Sequence, residues 1–136
     1  MDDKKFIIRA VELANRSRES VGCGTVIVVN NKIIAEEYNS QTIDNVSVNH
    51  AEIKAIVTAN KKLGKRKLDA ATAYCSCEPC AMCLTALSYA KVQRIVFDKT
   101  MKDLFPGDPQ SNLDSQEFIL GLNFIPELDH SPLAPV

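Results

Sequence analysis

The chain is expected to be an α/β protein with a mixed sheet, and three observations predict it. Residues 71–97 alternate strand, helix and strand patterns; Thr25–Val29 and Lys32–Glu36 are β-branched or apolar runs around Asn30-Asn31; and Phe6, Ile7, Ala10, Val11 and Ala14 recur at spacings of three and four. A strand–helix–strand unit of this kind needs a crossover, so its strands pair in parallel. Two runs joined by Asn-Asn pair antiparallel as a hairpin, because both central residues of such a turn tolerate positive φ. Together the two kinds of pairing make the sheet mixed.

Taken in order, Asp2-Asp3 open the first helix, and Val21-Gly22-Cys23-Gly24 end its pattern. The hairpin follows. Residues 39–49 are polar and read as a loop. A second helix is expected from about His50 to Leu63, with Ala51, Ala55, Ile56 and Ala59 inward. Ala71 to Cys77 reads as the third strand, Ala81 to Ala90 as the third helix and Val92 to Phe97 as the fourth strand. Beyond Asp98 the pattern weakens. Phe105 to Pro109 is turn-rich, Ser111 to Leu122 reads as a helix capped by Ser111 or Asn112, Asn123 to Leu128 as a short strand, and Ser131 to Val136 as an extended tail.

The length of 136 residues suits a single domain over 1–136, and 46% hydrophobic with 24% charged residues is ordinary for a globular chain. A net charge of −1 gives no global attraction for nucleic acid or an anionic membrane. No apolar run approaches a membrane span, and no secretory pattern opens the chain. Five cysteines, an odd number, argue against a disulfide framework and suggest a reducing, cytoplasmic setting.

The chemistry concentrates in His50-Ala51-Glu52 and in Glu78-Pro79-Cys80-Ala81-Met82-Cys83. His50, Cys80 and Cys83 offer one imidazole and two thiolates. Three such ligands hold zinc and leave a fourth position open, the pattern of a catalytic rather than a structural site. Zinc there would acidify a water. Glu52 sits two residues after His50, an offset of about 200° on a helix, so mid-helix the two could not both ligate. At a first helical turn, His50 can bind the metal while Glu52 remains free to shuttle protons. Pro79 suits the first turn of a helix, and Cys80 and Cys83 then share one face near a helix N-terminus that favours thiolates.

Other readings compete. C-x-x-C alone could be a redox pair, and with Cys75 and Cys77 it could form a structural four-cysteine site. Cys75 and Cys77 read better as small buried strand residues, with Cys77 near the metal but not bound to it. A zinc-binding module without turnover is a further alternative, which an unliganded carboxylate beside the metal argues against.

The H-x-E and P-C-x-x-C wording matches the known signature of zinc deaminases. Over about residues 4–100 the chain resembles the cytidine-deaminase-like superfamily. Ser76-Cys77-Glu78-Pro79-Cys80-Ala81-Met82-Cys83 is similar to the branch of guanine deaminases and tRNA adenosine deaminases, and nearest to guanine deaminase. The resemblance implies a three-layer α/β/α sandwich around a mixed five-stranded sheet, one Zn2+ per subunit and a homodimer. It implies hydrolytic deamination of a nucleobase or related amino-substituted ring, with Glu52 catalytic. It also implies that Asn39 and the backbone N–H of Ala51 contact the base, and that Asp103 or Asp108 lends an acidic group to the pocket. The chain departs from the family wording at Cys23-Gly24-Thr25 and at Ser47-Val48-Asn49, and it has no Trp.

Lys61, Lys62, Lys65, Arg66 and Lys67 form a local basic cluster after the second helix. A tRNA substrate would need such cations on its phosphates. They read more simply as a solvated helix end favoured by the dipole. The expectation is therefore guanine or a similar small purine, ahead of tRNA adenosine and of cytosine or another pyrimidine.

Overall fold

The computed structural model describes residues 2–133. Its centre is a five-stranded sheet in the order β2-β1-β3-β4-β5. The strands are β1 (Gly24–Val29), β2 (Lys32–Tyr38), β3 (Ala71–Cys77), β4 (Arg94–Lys99) and β5 (Glu127–His130). β1 pairs antiparallel with both β2 and β3, while β3–β4 and β4–β5 are parallel. The sheet is thus mixed, as the two connection types require. The hairpin turn has Asn30 at φ 51° and Asn31 at φ 62°, the left-handed pair that the Asn-Asn dipeptide tolerates. All seven residues of β3 are buried, which explains why this central strand carries no charged side chain.

Helices cover both faces. α1 (Asp3–Ala14) is capped by the Asp2 carboxylate, which accepts from the Lys5 N–H, and it buries Phe6, Ile7, Ala10 and Leu13. These pack on Val26, Val28, Tyr74 and Val96. Gly24 lets α1 lie close to the sheet: a Cβ there would stand 2.1 Å from the Ala10 carbonyl. The other face carries α3 (Ala51–Leu63) and α4 (Ala81–Tyr89). Their Ala55, Ala59, Leu84 and Leu87 pack against Ile27, Ala73, Cys75 and Ile95. Alternating side chains of one strand therefore feed two cores.

Four local features differ from expectation. The 39–49 stretch contains a short helix, α2 (Gln41–Asp44), which Asn45 ends at φ 54° and ψ 42°. After β4 a one-turn helix, α5 (Met101–Leu104), opens with a capping box between Thr100 and Asp103. The helix expected over Ser111–Leu122 is broken. A 3-10 turn at Pro109–Asn112 is followed by Leu113 in an extended conformation, and α6 (Ser115–Ile119) starts from an Asp114 cap. An aspartate ahead of a helix outcompetes the serine and asparagine upstream because its carboxylate accepts from the Glu117 N–H. The last strand begins after Pro126, which lacks a ladder N–H, rather than at Asn123. The tail expected over Ser131–Val136 lies partly outside the described residues.

Among the described residues no helix is long and apolar enough to cross a membrane. The parts that matter for chemistry gather at one end of the sheet. α3 starts from His50, β3 ends at Cys77, and α4 starts from Cys80.

Candidate active site

His50 and Cys80 are both helix N-cap residues with extended backbones, at φ −68°, ψ 157° and φ −73°, ψ 174°. Neither side chain caps its own helix, so each is free to point at the other. Cys83 follows in the first turn of α4. The His50 Nδ1 lies 3.6 Å from the Cys80 Sγ and 3.5 Å from the Cys83 Sγ. All three donor atoms fall within 4.8 Å of one another. A tetrahedral zinc with ordinary Zn–S and Zn–N bonds spaces a sulfur and a nitrogen ligand by about 3.6 Å. The three residues therefore fit zinc in both donor type and spacing.

Their protonation in the metal-free chain follows from that proximity. The Cys80 thiolate is held down to about 4, chiefly by the hydrogen bond it accepts from the Cys83 thiol and then by His50. Cys83, the donor of that bond and fully buried, keeps its proton far above the usual thiol range. The imidazole of His50 is pushed up by its hydrogen bond to Cys80. One negative charge is thus shared among three donors, and a dication is the natural replacement for the protons.

Glu52, in the first turn of α3, is only 4% exposed. Burial pushes its carboxyl up to about 7, against a smaller opposing effect of its own backbone N–H. It is a buried acid standing beside the three metal donors without belonging to their set.

A cavity of about 160 Å3 lies beside these groups. His50, Glu52 and Cys80 form one part of its wall, and Asn39, Gln41 and Phe105 contribute elsewhere. The Asn39 amide is held in place. Its Oδ1 accepts from the Cys23 N–H and its Nδ2 donates to the Val21 carbonyl, both at 2.9 Å. One amide hydrogen and one lone pair remain. Ala51 is fully buried as the first residue of α3, where a backbone N–H has no acceptor within the helix. Asp103 and Asp108 serve as caps: Asp103 in its capping box and Asp108 by accepting from the Gln110 N–H at 3.0 Å. Neither is in the cavity wall, whereas Gln110 is. Lys61 to Lys67 sit at the end of α3 away from His50.

One expectation is corrected. Cys23 and Cys77 are joined as a disulfide with their Cα atoms 5.7 Å apart. The odd cysteine count misled because Cys80 and Cys83 belong to the metal set, leaving one pair and the buried free thiol of Cys75. Cys77 does lie near the metal donors without joining them, and both bridged cysteines are in the cavity wall. Among the wall residues the sequence did not single out are Gln41, Met101, Phe105 and Gln110. They fall in one-turn helices and the turn between them, segments too short to carry a periodic signal.

Comparison with known proteins agrees with this geometry. Residues 1–99 match the cytidine and deoxycytidylate deaminase zinc-binding region. Guanine deaminase from Bacillus subtilis is 41% identical over 100 residues, covering 71% of this chain and 64% of that protein. The tRNA-specific adenosine deaminase of the same organism is 36% identical over 97 residues, covering 70% of this chain and 60% of that protein. In both cases the match spans less than two thirds of the relative. A solved structure from work on A-to-I editing by tRNA:A34 deaminases superposes with a TM-score of 0.82 at 26% identity, covering 96% of this chain and all of that one. With its His50, Cys80 and Cys83 donors in place, the chain belongs to the cytidine and deoxycytidylate deaminase zinc-binding family.

Proposed function

We propose that the protein hydrolytically deaminates a purine ring, with free guanine or a similar small base as the leading substrate. The observation that carries this reading is the buried Glu52 carboxyl beside the His50, Cys80 and Cys83 donors at a small cavity. His50, Cys80 and Cys83 would hold zinc, which when bound supplies the Lewis acidity that turns water into a nucleophile near neutral pH. Glu52 takes the proton from the attacking water and delivers it to a ring nitrogen, which makes the amino-bearing carbon electrophilic. It then moves a second proton to the departing amine, so that water and the ring amine become a ring carbonyl and ammonia. Burial of this carboxyl raises it from its ordinary value in the metal-free chain, the direction that suits a group which must give protons as well as take them. The free hydrogen and lone pair of Asn39, with the Ala51 N–H, would orient the ring.

Small size is favoured by the placement of positive charge. α3 has 13 residues, so the basic cluster at its end is about 20 Å from His50. Cations that far away do not reach the phosphates flanking a base held in this subunit's cavity. The second reading is an adenosine within tRNA. It is favoured by the likeness to the tRNA:A34 deaminase structure, which extends over 96% of this chain, its C-terminal segment included.

The test is ammonia release by zinc-loaded protein from guanine, adenine, cytosine, their nucleosides and an anticodon stem-loop bearing the target adenosine. Turnover of guanine that is lost in Glu52→Ala, with zinc retained, is the expected result. Turnover of the stem-loop alone would replace the leading reading by the second. Silence on every substrate, with zinc bound, would overturn both.

A further inference from the structure

We propose that the Cys23–Cys77 bridge is a site of reversible thiol–disulfide exchange with a small thiol of the glutathione kind, opened from the catalytic cavity, and that its state sets how firmly Asn39 is held. The exchange stands on the placement of the two cysteines. Its effect on substrate affinity rests on the functional reading above.

Two observations set this bridge apart from one that only braces a core. The first is its place: both cysteines are in the cavity wall, where Cys77 is 6% exposed and Cys23 is half-buried. The second is what Cys23 holds. Its N–H donates to the Asn39 Oδ1 at 2.9 Å, and its carbonyl accepts from the Asn39 N–H at 3.1 Å. The Asn39 Nδ2 donates to the Val21 carbonyl at 2.9 Å. Three of the bonds that fix Asn39 thus come from residues 21–23. These residues lie beyond the β1–β3 ladder, whose pairing starts at Thr25 and Cys75. They are tied to β3 by the Gly24 N–H, which donates to the Ser76 hydroxyl at 2.8 Å, and by the bridge itself. Opening the bridge removes the covalent tie, so the segment and Asn39 loosen together. His50, Glu52, Cys80 and Cys83 enter from the starts of α3 and α4, which this segment does not carry.

The exchange balances with two small thiols. The first attacks as its thiolate at the Cys23 Sγ, the sulfur of the more exposed residue. A bond forms between the two sulfurs, the bridge breaks, and its electron pair leaves on the Cys77 Sγ, which takes up a proton. A second small thiol attacks the outer sulfur of this mixed disulfide and releases Cys23 as a thiol. The two small thiols depart joined as one disulfide. They are oxidised by two electrons, and the protein pair is reduced by two. Access decides which disulfides undergo such exchange, and those open to solvent are the labile and regulatory ones. A bridge in the wall of a substrate cavity is reached by the route the substrate takes. The oxidised chain holds Asn39 ready for a ring, and the reduced chain must order it on binding, which weakens affinity and leaves proton transfer by Glu52 unaltered.

The experiment equilibrates zinc-loaded wild type, Cys23→Ser and Cys77→Ser with glutathione buffers of rising reduced-to-oxidised ratio. After acid quench, unfolding and alkylation, mass spectrometry counts the free thiols of folded, zinc-retaining protein. Wild type should pass from three alkylated cysteines, Cys75, Cys80 and Cys83, to five, and return to three when the ratio is reversed. In the reduced form amide hydrogen exchange should quicken over residues 21–24 and at Asn39 but not in α3 or α4, because only the former lose a tie. KM for guanine should rise about fivefold on reduction, the size of one neutral hydrogen bond, with kcat within about twofold. Either serine variant should show the raised KM at every ratio. Three alkylated cysteines throughout, or five throughout, would overturn the exchange. Reduction that leaves hydrogen exchange at residues 21–24 and Asn39 unchanged, or KM unchanged in an active enzyme, would overturn the link to Asn39. If wild type turns over no substrate, the functional reading falls, while alkylation and hydrogen exchange still decide whether the bridge opens and whether Asn39 loosens with it.

Discussion

Glu52 meets two demands that conflict. The proposed chemistry needs a carboxyl near the metal donors, and its position in the first turn of α3 buries that carboxyl almost completely. Burial pushes it up from an ordinary value of 4.5 to about 7 in the metal-free chain. The folded chain then holds a proton that the unfolded chain releases above about 4.5, so stability falls as pH rises through that window and levels off above about 7. A shift of that size corresponds to about 3 kcal/mol. Glu52→Gln removes the charge and keeps the shape. In metal-free protein it should raise stability by up to about 3 kcal/mol at pH 8 and by little at pH 5, read by urea unfolding. An equal effect at both pH values would show that the buried carboxyl does not titrate in this window. Glu52, His50, Cys80 and Cys83 were legible in the sequence because each half of the motif lies within a few residues and imposes a helix start. Met101, Phe105 and Gln110 were not legible, because their place in the cavity wall depends on contacts between segments far apart in sequence.

At the level of elements, the disulfide follows from strand register. Thr25 pairs with Cys75 in the antiparallel β1–β3 ladder. Two residues further along the same ladder Cys23 faces Cys77, so the bridge continues the sheet covalently where its hydrogen bonds end. Register between segments 54 positions apart cannot be read from either segment alone. By contrast, β3 was legible to the residue, and β1, β2, α1, α3 and α4 nearly so, because their apolar spacing and turn residues are local signals. A bridge closing a loop of this length is worth about 4 kcal/mol in the chain-entropy account. Cys23→Ser should therefore be less stable than wild type by up to about 4 kcal/mol in an oxidising buffer, and the gap should close when excess reductant is added to both. Wild-type stability that ignores reductant, with two further thiols titratable in the unfolded protein, would mean that the bridge does not form in solution.

Across the whole molecule, the problem is how a readable metal site holds an unreadable C-terminal third. The segment after β4 has few periodic apolar residues; its short turns are capped locally by Thr100, Asp108 and Asp114. Caps fix each turn but not its place on the protein. Glu78 does that. It lies two residues before Cys80, and its carboxylate accepts from the Met101 N–H at 2.8 Å and from the Ser115 hydroxyl at 2.7 Å. One side chain of the zinc motif thereby ties α5 and α6 to the loop that carries a metal donor, and it draws Met101, Phe105 and Gln110 to the cavity wall. Hydrogen bonds to a charged acceptor are the stronger kind, so losing two should cost about 2–4 kcal/mol locally. Glu78→Ala should keep its zinc, since His50, Cys80 and Cys83 are untouched, but should free the 99–115 segment. Trypsin then cuts at the exposed Lys99 and Lys102 sooner than in wild type, because cleavage there reports local opening. KM should rise more than kcat falls, because the altered groups line the cavity rather than transfer protons. Unchanged proteolysis in Glu78→Ala would show that the caps and apolar contacts hold this segment without the carboxylate.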